Sequence, residues 1–555
     1  MKEKYWWLTE ESQAMLERGY LLPNQTVEEK LNVICKYAAS FYKDEVGLKE
    51  RFLEIFERGW CSLSSPIWAN FGEDRGLPIS CFSSFVPDDL DKIYGTLHEV
   101  AMMTKLGGGT SGYFGKLRPL GTPIKGGGIS SGLMSFTELF DTTTKVVSQS
   151  GVRRGAFAAY IDIDHPEIEE FLKVKDKGHS LQTINTAVSV SDEWMKQMKD
   201  GDKEKRELWA KILKSRREKG IPYIFFSDTA NRNKPQIYKD TNSTIHSSNL
   251  CSEIFLPTSE MESFVCCLMS MNLSTYDEWK NTDAVRLAVM ILDAVMSDFI
   301  KKTKNLPYMQ RAHNFAVRHR ALGLGVLGWH SLLQQKMIPF ESFEAQQLNT
   351  SIFKYLKEKS YEASIELGEK YGYAPIFEGV ETTDTKRRNT TLMAIAPTTS
   401  SSSILGQVSP SIEPYASNYF VAGLAKGSFS RKNTELEKLL ESKGKNSEDV
   451  WKNIIQNQGS VQQLDFLSEN EKKVFKTFQE ISPLAIIQQA AARQSFIDQG
   501  QSVNLKIPSS MGIKDINTIH MEAWELGLKS LYYQRGTSVA KEAVLEMMEC
   551  KSCEG

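Results

Sequence analysis

From Cys61 to about residue 535, short apolar segments alternate with longer stretches of helical periodicity. That alternation calls for an α/β architecture, though it leaves the order of strands open. Ahead of it, residues 1–60 are helical in pattern: Thr26-Val27-Glu28-Glu29 reads as a helix start, followed by Leu31, Ile34, Tyr37 and Ala38 at helical spacing. At Cys61 the chain changes abruptly to Ser62-Leu63-Ser64-Ser65-Pro66, a loop-to-strand signature. We therefore expect a helical region over 1–60, an α/β body over 61–535 and a tail over 536–555.

Several classes of function are excluded early. Lys plus Arg number 67 against 69 Asp plus Glu, so no basic field exists to hold nucleic acid. The N-terminus lacks an apolar run of signal-peptide length, and the apolar stretch Ala284–Ile300 is broken by Arg286, Asp293 and Asp298. It reads as a buried helix, not a membrane span. Eight cysteines in 555 residues do not make a disulfide scaffold. The cytoplasm is the expected compartment.

Three glycine-rich stretches bear on nucleotide binding. Gly107 to Gly112 and Gly126 to Gly128 read either as backbone that approaches a phosphate or as turns, and neither closes a Walker pattern. Gly323-Leu324-Gly325-Val326-Leu327-Gly328 matches the dinucleotide fingerprint but follows Arg318-His319-Arg320 where a buried strand should end. We read it as close helix packing. The polar segment 429–475 reads as a surface insertion.

The chemistry concentrates in Ser248-Asn249-Leu250-Cys251-Ser252-Glu253-Ile254. In an extended backbone, alternate residues share a face, which would put an amide, a thiol and a carboxylate in a row about 13 Å long. Two further thiols, Cys81 and Cys266, lie in short apolar runs, with Cys267 beside the second. The tail carries Cys550-x-x-Cys553; no second ligand pair lies nearby to complete a zinc site, so disulfide exchange suits it better. Tyr532-Tyr533 reads as core packing or as a route for an electron and a proton. Thr398 to Ser403 sets six hydroxyls in a row, an anion site if it leads into a helix.

Together, Asn249-Leu250-Cys251-x-Glu253, the flanking Cys81 and Cys266, Tyr532-Tyr533 and the terminal dithiol resemble the large catalytic subunit of class I ribonucleotide reductase, in order and over most of the chain. The resemblance implies a ten-stranded α/β barrel of two antiparallel five-stranded halves, with a finger loop carrying Cys251 through its centre. It implies that Cys251 is the thiyl radical, Glu253 the base at the 3′ hydroxyl, and Asn249 a holder of the substrate hydroxyls. Cys81 and Cys266 would become a disulfide as the 2′ hydroxyl leaves, and Cys266 is preferred to Cys267 for its spacing to Asn272. Tyr532 and Tyr533 would relay the radical, and Cys550 and Cys553 would reduce the disulfide.

By the same resemblance Ser65, Ser80, Ser400 and Ser401 hold the diphosphate of a ribonucleoside diphosphate, and Thr399 stands where the family's better-known loop has a carboxylate. Asp88, Thr104 and Arg118 correspond to the allosteric site for a deoxynucleoside triphosphate, and Ser148 to Gly155, including Arg153, to the loop that relays its identity. Implied partners are a ferritin-like, dimetal small subunit that generates the radical, thioredoxin or glutaredoxin as reductant, and a second copy of the chain. No cofactor is expected in this chain, and dNTP and ATP are expected as effectors. The roughly hundred-residue ATP-binding cone of many relatives has no counterpart in residues 1–60. An adenosylcobalamin-dependent class II reductase is the nearest rival, and Tyr532-Tyr533 speaks against it; a non-catalytic nucleotide sensor on the same scaffold is another.

Overall fold

The computed structural model describes residues 3–147, 155–424, 427–508 and 510–536, with side chains left aside over 420–430. Its strands are β1 (Cys61–Leu63), β2 (Cys81–Phe85), β3 (Gly109–Tyr113), β4 (Phe157–Asp162), β5 (Asn185–Val190), β6 (Tyr223–Phe226), β7 (Phe264–Asn272), β8 (Leu322–Leu327), β9 (Tyr419–Leu424), β10 (Gly427–Lys432), β11 (Leu505–Ile507), β12 (Ser530–Leu531) and β13 (Gln534–Gly536).

β2 to β6 pair in sequence order, each parallel to the next. β7 joins the other edge of β2 in the antiparallel sense and so begins a second half running the opposite way. That half continues in parallel through β8, through residues 392–395 by the Leu324–Met393 bridge, and through residues 500–507 by the Ile395–Gln501 bridge. β13 pairs parallel with β11, and β12 pairs antiparallel with β6, which closes the ring. Two parallel five-stranded halves, antiparallel to each other, make the expected ten-stranded barrel. Parallel strands covered on both faces must be apolar throughout, and Phe264 to Asn272 is buried at every position.

The glycine run 323–328 is a barrel strand, which corrects the helix-packing reading. The helix Gln310–His319 ends at Arg320, in a left-handed conformation, and β8 follows at once. Its glycines admit neighbours: a Cβ on Gly323 would stand 2.5 Å from Leu268 and 3.2 Å from the Cys266 sulfur, and one on Gly325 would stand 2.6 Å from the Ala394 carbonyl. Gly108 and Gly109 do the same beneath Phe82 and Leu250 at the entry to β3.

Helices Glu10–Glu17, Val27–Ala39 and Leu48–Glu57 form the N-terminal region, and Thr26 and Glu29 make a reciprocal capping box. These helices share one hydrophobic core with the barrel, as does the buried helix Ala284–Thr303. No described helix is long and apolar enough to cross a membrane. The polar segment near 430–475 builds a separate small core around Leu436, Trp451 and Phe475.

Candidate active site

Residues 241–263, between the helix Gln236–Asp240 and β7, contain no helix or strand, yet Ser247, Ser248, Asn249, Ile254 and Phe255 are fully buried. A loop inside a barrel must find partners for its backbone, and here the wall supplies them as side-chain hydroxyls. Ser111 donates to the Ser248 carbonyl (2.9 Å), Tyr160 to that of Asn249 (2.8 Å), Ser502 to that of Cys251 (2.6 Å) and Ser530 to that of Ser252 (2.9 Å). The Gly500 N–H donates to the Glu253 carbonyl, and Gln499 accepts from the Phe255 N–H. The finger is thereby anchored to both halves of the barrel.

The tip is a turn, not the extended row expected from the sequence. Ser252 has φ +63°, its N–H reaches the Asn249 carbonyl at 3.3 Å, and the Asn249 side-chain oxygen accepts from the N–H groups of Glu253 (3.0 Å) and Ile254 (3.1 Å). The turn replaces strand alternation as the device that gathers the functional groups. Asn249, Cys251 and Glu253 still line one cleft.

Cys81 lies on the cleft wall at the start of β2. The Asn249 amide donates to its sulfur at 3.2 Å, and a Glu253 carboxylate oxygen stands 3.8 Å away. Directly across the antiparallel pair is Cys266. Opposed residues in such a pair have Cα atoms about 4.5–5.5 Å apart, inside the range a disulfide spans. Both thiols are free, and burial pushes both well above the usual thiol range. Cys267 turns away, its sulfur 3.3 Å from the Leu292 carbonyl in the helix outside the barrel.

Glu253 is fully buried, and desolvation raises its carboxyl to about 7, while hydrogen bonds from Asn249, its own backbone, Ser502 and Cys81 oppose the rise. It therefore exchanges protons near neutrality, as a general base requires.

Ser65, Ser80, Thr399, Ser400 and Ser401 line the same cleft. The hydroxyl run does lead into a helix, Thr399–Ile404, and Ser401 bonds the Leu63 carbonyl at 3.3 Å, tying it to β1.

Tyr532 and Tyr533 pack with ring centroids 4.5 Å apart, and Tyr223 stands 4.7 Å from the first and 5.0 Å from the second. Cys251 packs against this same aromatic cluster. Behind it the buried Arg216 donates to the carbonyls of Tyr532 (3.0 Å) and Pro222 and to His520 Nε2 (3.0 Å). Burial lowers His520 to about 3, so its ring is neutral and accepts.

Asp88 and Arg118 form an ion pair of 2.6 Å. Thr104 is at the far end of the helix Leu90–Lys105, about 21 Å along its axis from Leu90. Its hydroxyl is bonded back to Val100, and it adjoins Gly155. Arg153, Cys550 and Cys553 lie outside the described residues. No group of His, Cys, Asp or Glu among the described residues could hold a metal ion.

Sequence reasoning missed Ser502, Gln499, Tyr160, Tyr223 and Arg216. Gln499-Gly500-Gln501-Ser502, a polar run at a barrel-strand position, is the one local hint.

The family model for the ribonucleotide reductase barrel domain matches residues 79–205, 203–387 and 383–534. A putative ribonucleoside-diphosphate reductase large subunit from Frog virus 3 is 35% identical over 92% of this chain and 93% of its own. The ribonucleoside-diphosphate reductase large subunit of Danio rerio is 30% identical over 94% of this chain and 74% of its own. Among solved structures, the Actinobacillus ureae class Id ribonucleotide reductase alpha subunit superposes with a TM-score of 0.92 at 50% identity, covering 99% of this chain and all of that one. With a barrel, a cysteine-tipped finger and an opposed thiol pair in place, this chain belongs to the ribonucleotide reductase family.

Proposed function

We propose that this chain is the catalytic subunit of a class I ribonucleotide reductase, converting ribonucleoside diphosphates to 2′-deoxyribonucleoside diphosphates. The observation that carries the reading is the opposition of Cys81 and Cys266 beneath a finger that brings Asn249, Cys251 and Glu253 to the same cleft. Two adjacent thiols supply two electrons and two protons, which is what removal of one hydroxyl as water consumes.

In this reading Cys251, as a thiyl, takes the 3′ hydrogen of the ribose, and ionised Glu253 takes the proton of the 3′ hydroxyl. Asn249 orients the ribose hydroxyls. The Cys81–Cys266 pair gives a proton to the 2′ oxygen, which leaves as water, and a hydrogen atom to the 2′ carbon. As the two sulfurs join in a disulfide the remaining electron passes to the substrate, Glu253 returns its proton to the 3′ oxygen, and Cys251 returns the hydrogen to the 3′ carbon and is again a thiyl. The hydroxyls of Ser65, Ser80, Thr399, Ser400 and Ser401 receive the diphosphate.

Tyr532 and Tyr533 carry the radical from a small-subunit partner of the ferritin-like, dimetal kind. Cys251 packs against the cluster that contains both tyrosines, which supports that route. Cys550 and Cys553 of the tail pass electrons from thioredoxin or glutaredoxin to the internal disulfide. Asp88 and Arg118, with Thr104 and Arg153, read a deoxynucleoside triphosphate in a dimer.

The test is reduction of ribonucleoside diphosphates by the full chain with candidate small subunits, and separately with adenosylcobalamin. Turnover that requires the small subunit is expected; turnover with adenosylcobalamin alone would overturn the class I reading. Replacing Cys550 and Cys553 with serine should abolish turnover with thioredoxin yet leave it with a small dithiol, and equal turnover with both reductants would remove the tail from the scheme.

A further inference from the structure

A second cleft, of about 960 Å³, opens at the other end of the barrel. The substrate cleft meets β2 at its first residue, Cys81, and at Ser80 just before it. The second is bordered by Arg232, Lys234 and Lys239, which follow the last residue of β6, and by Asp498 and Lys529, which precede the strands of the opposing half. Since β6 runs parallel to β2, the two clefts lie at opposite mouths.

Its lining carries more positive than negative charge, with four lysines and Arg232 set against the single carboxylate Asp498. Lys234, Lys239, Lys357 and Lys529 all border it, and none forms an ion pair with a carboxylate among the described residues. Lys234 donates to the Ser243 carbonyl at 2.6 Å, and Lys357 to the Ser495 carbonyl at 3.2 Å. Lys529 is 1% exposed and donates to the carbonyls of Asp498 and Gln499, each at 2.6 Å. An ammonium has three donors, so one remains for a ligand. Arg232 is already paired with Asp192. Asp498, the one carboxylate in the lining, has its oxygens taken by the Tyr361 hydroxyl (2.6 Å) and by the N–H groups of Leu392 (2.7 Å) and Met393 (3.1 Å).

Four ammonium groups around one cleft repel one another, and the single carboxylate Asp498 offsets only part of that charge. Desolvation lowers Lys529 to about 7, with Asp498 opposing and Lys357 adding to the fall; burial and then Lys239 lower Lys234. A multiply charged anion in the cleft would relieve the whole arrangement.

We infer that this far cleft binds the polyphosphate group of a nucleoside triphosphate or a free polyphosphate, held by Lys234, Lys239, Lys357 and Lys529. The occupant would sit directly behind the finger. The Lys529 ammonium is 5.7 Å from the Phe255 ring centroid, and Gln499, whose carbonyl it bonds, reaches the Cys266 sulfur at 3.7 Å.

Calorimetric titration of the full chain with inorganic tripolyphosphate, and in parallel with ATP, tests this. Three proteins are compared: wild type, the surface double variant Lys239→Glu/Lys357→Glu, and Ser400→Ala/Ser401→Ala in the substrate cleft. The double lysine variant should weaken tripolyphosphate binding by about tenfold or more for each charge-assisted hydrogen bond removed. The serine variant should retain that binding component. A lysine-dependent ATP component tighter than that for tripolyphosphate identifies a nucleotide as occupant, and an equal or weaker one identifies the phosphate chain alone. No tripolyphosphate binding by wild type, or binding unaffected by the lysine changes and lost in the serine variant, would overturn the proposal. Lys529→Met is a secondary probe, since a buried change can disturb folding whereas Lys239 is exposed and Lys357 only half-buried.

Discussion

Cys81 and Cys266 are cross-strand partners at one of the two seams where the parallel halves of the barrel meet antiparallel. Within either half a parallel neighbour is offset, whereas here two thiols face each other directly. Mild oxidation should therefore give a Cys81–Cys266 disulfide without rearrangement. Peptide mapping of the oxidised protein checks this, and a Cys81–Cys267 link would contradict the register. Replacing either Cys81 or Cys266 with serine should remove multiple turnover, while Cys267→Ser should retain it.

Glu253 sets an acidic limb on activity. Its folded-state carboxyl is raised from 4.5 to about 7, and a base must be ionised, so kcat should rise with pH through about 7. The stability effect has the opposite sense. Between about 4.5 and 7 the folded protein holds a proton that the unfolded chain releases, so stability falls as pH rises through that window. Glu253→Gln should flatten that slope and lower kcat by about 10²–10⁴-fold. Denaturant melts at pH 5 and 8, with a pH–rate profile, measure both.

Arg216 supports the tyrosine pair through backbone carbonyls. Arg216→Ala would leave the Tyr532 and Pro222 carbonyls buried without a donor, at about 2–4 kcal/mol of stability. Tyr532→Phe keeps the ring packing and removes only the hydroxyl. It should unfold at nearly the wild-type denaturant concentration yet lose turnover with the small subunit, and retained turnover would take Tyr532 out of the radical route.

How legible this was from sequence follows the physics of each element. Alternating apolar segments revealed the α/β body, and Thr26 with Glu29 gave a helix start, because both signals are local. The finger was legible in composition but not in shape. Asn249, Cys251 and Glu253 suggested a strand face, whereas the turn depends on the side chain of Asn249 and on hydroxyls from four barrel strands. Ser111, Tyr160, Ser502 and Ser530 stand more than four hundred residues apart at the extremes, and nothing in the sequence around each marks it as a partner of the finger. Gly323 to Gly328 misled for a related reason: close approach looks alike in sequence whether a helix or a strand makes it. Lys529 was invisible, since a lysine is ordinarily read as surface.

Ser502 offers the most direct test of how the barrel wall tunes the finger. Its hydroxyl lies 2.6 Å from the Cys251 carbonyl and 3.1 Å from a Glu253 carboxylate oxygen, both acceptors for one proton. The bond to Glu253 holds that carboxyl lower than burial alone would. Ser502→Ala should therefore raise the Glu253 carboxyl further and move the acidic limb of the pH–rate profile to higher pH, leaving the plateau kcat less affected than the position of the limb. Ser502→Thr keeps a hydroxyl at the same atom and should bring the limb back. A profile unchanged in Ser502→Ala would mean that the proton of Ser502 is committed to the Cys251 carbonyl alone, and the hydroxyl would then anchor the finger without tuning its base.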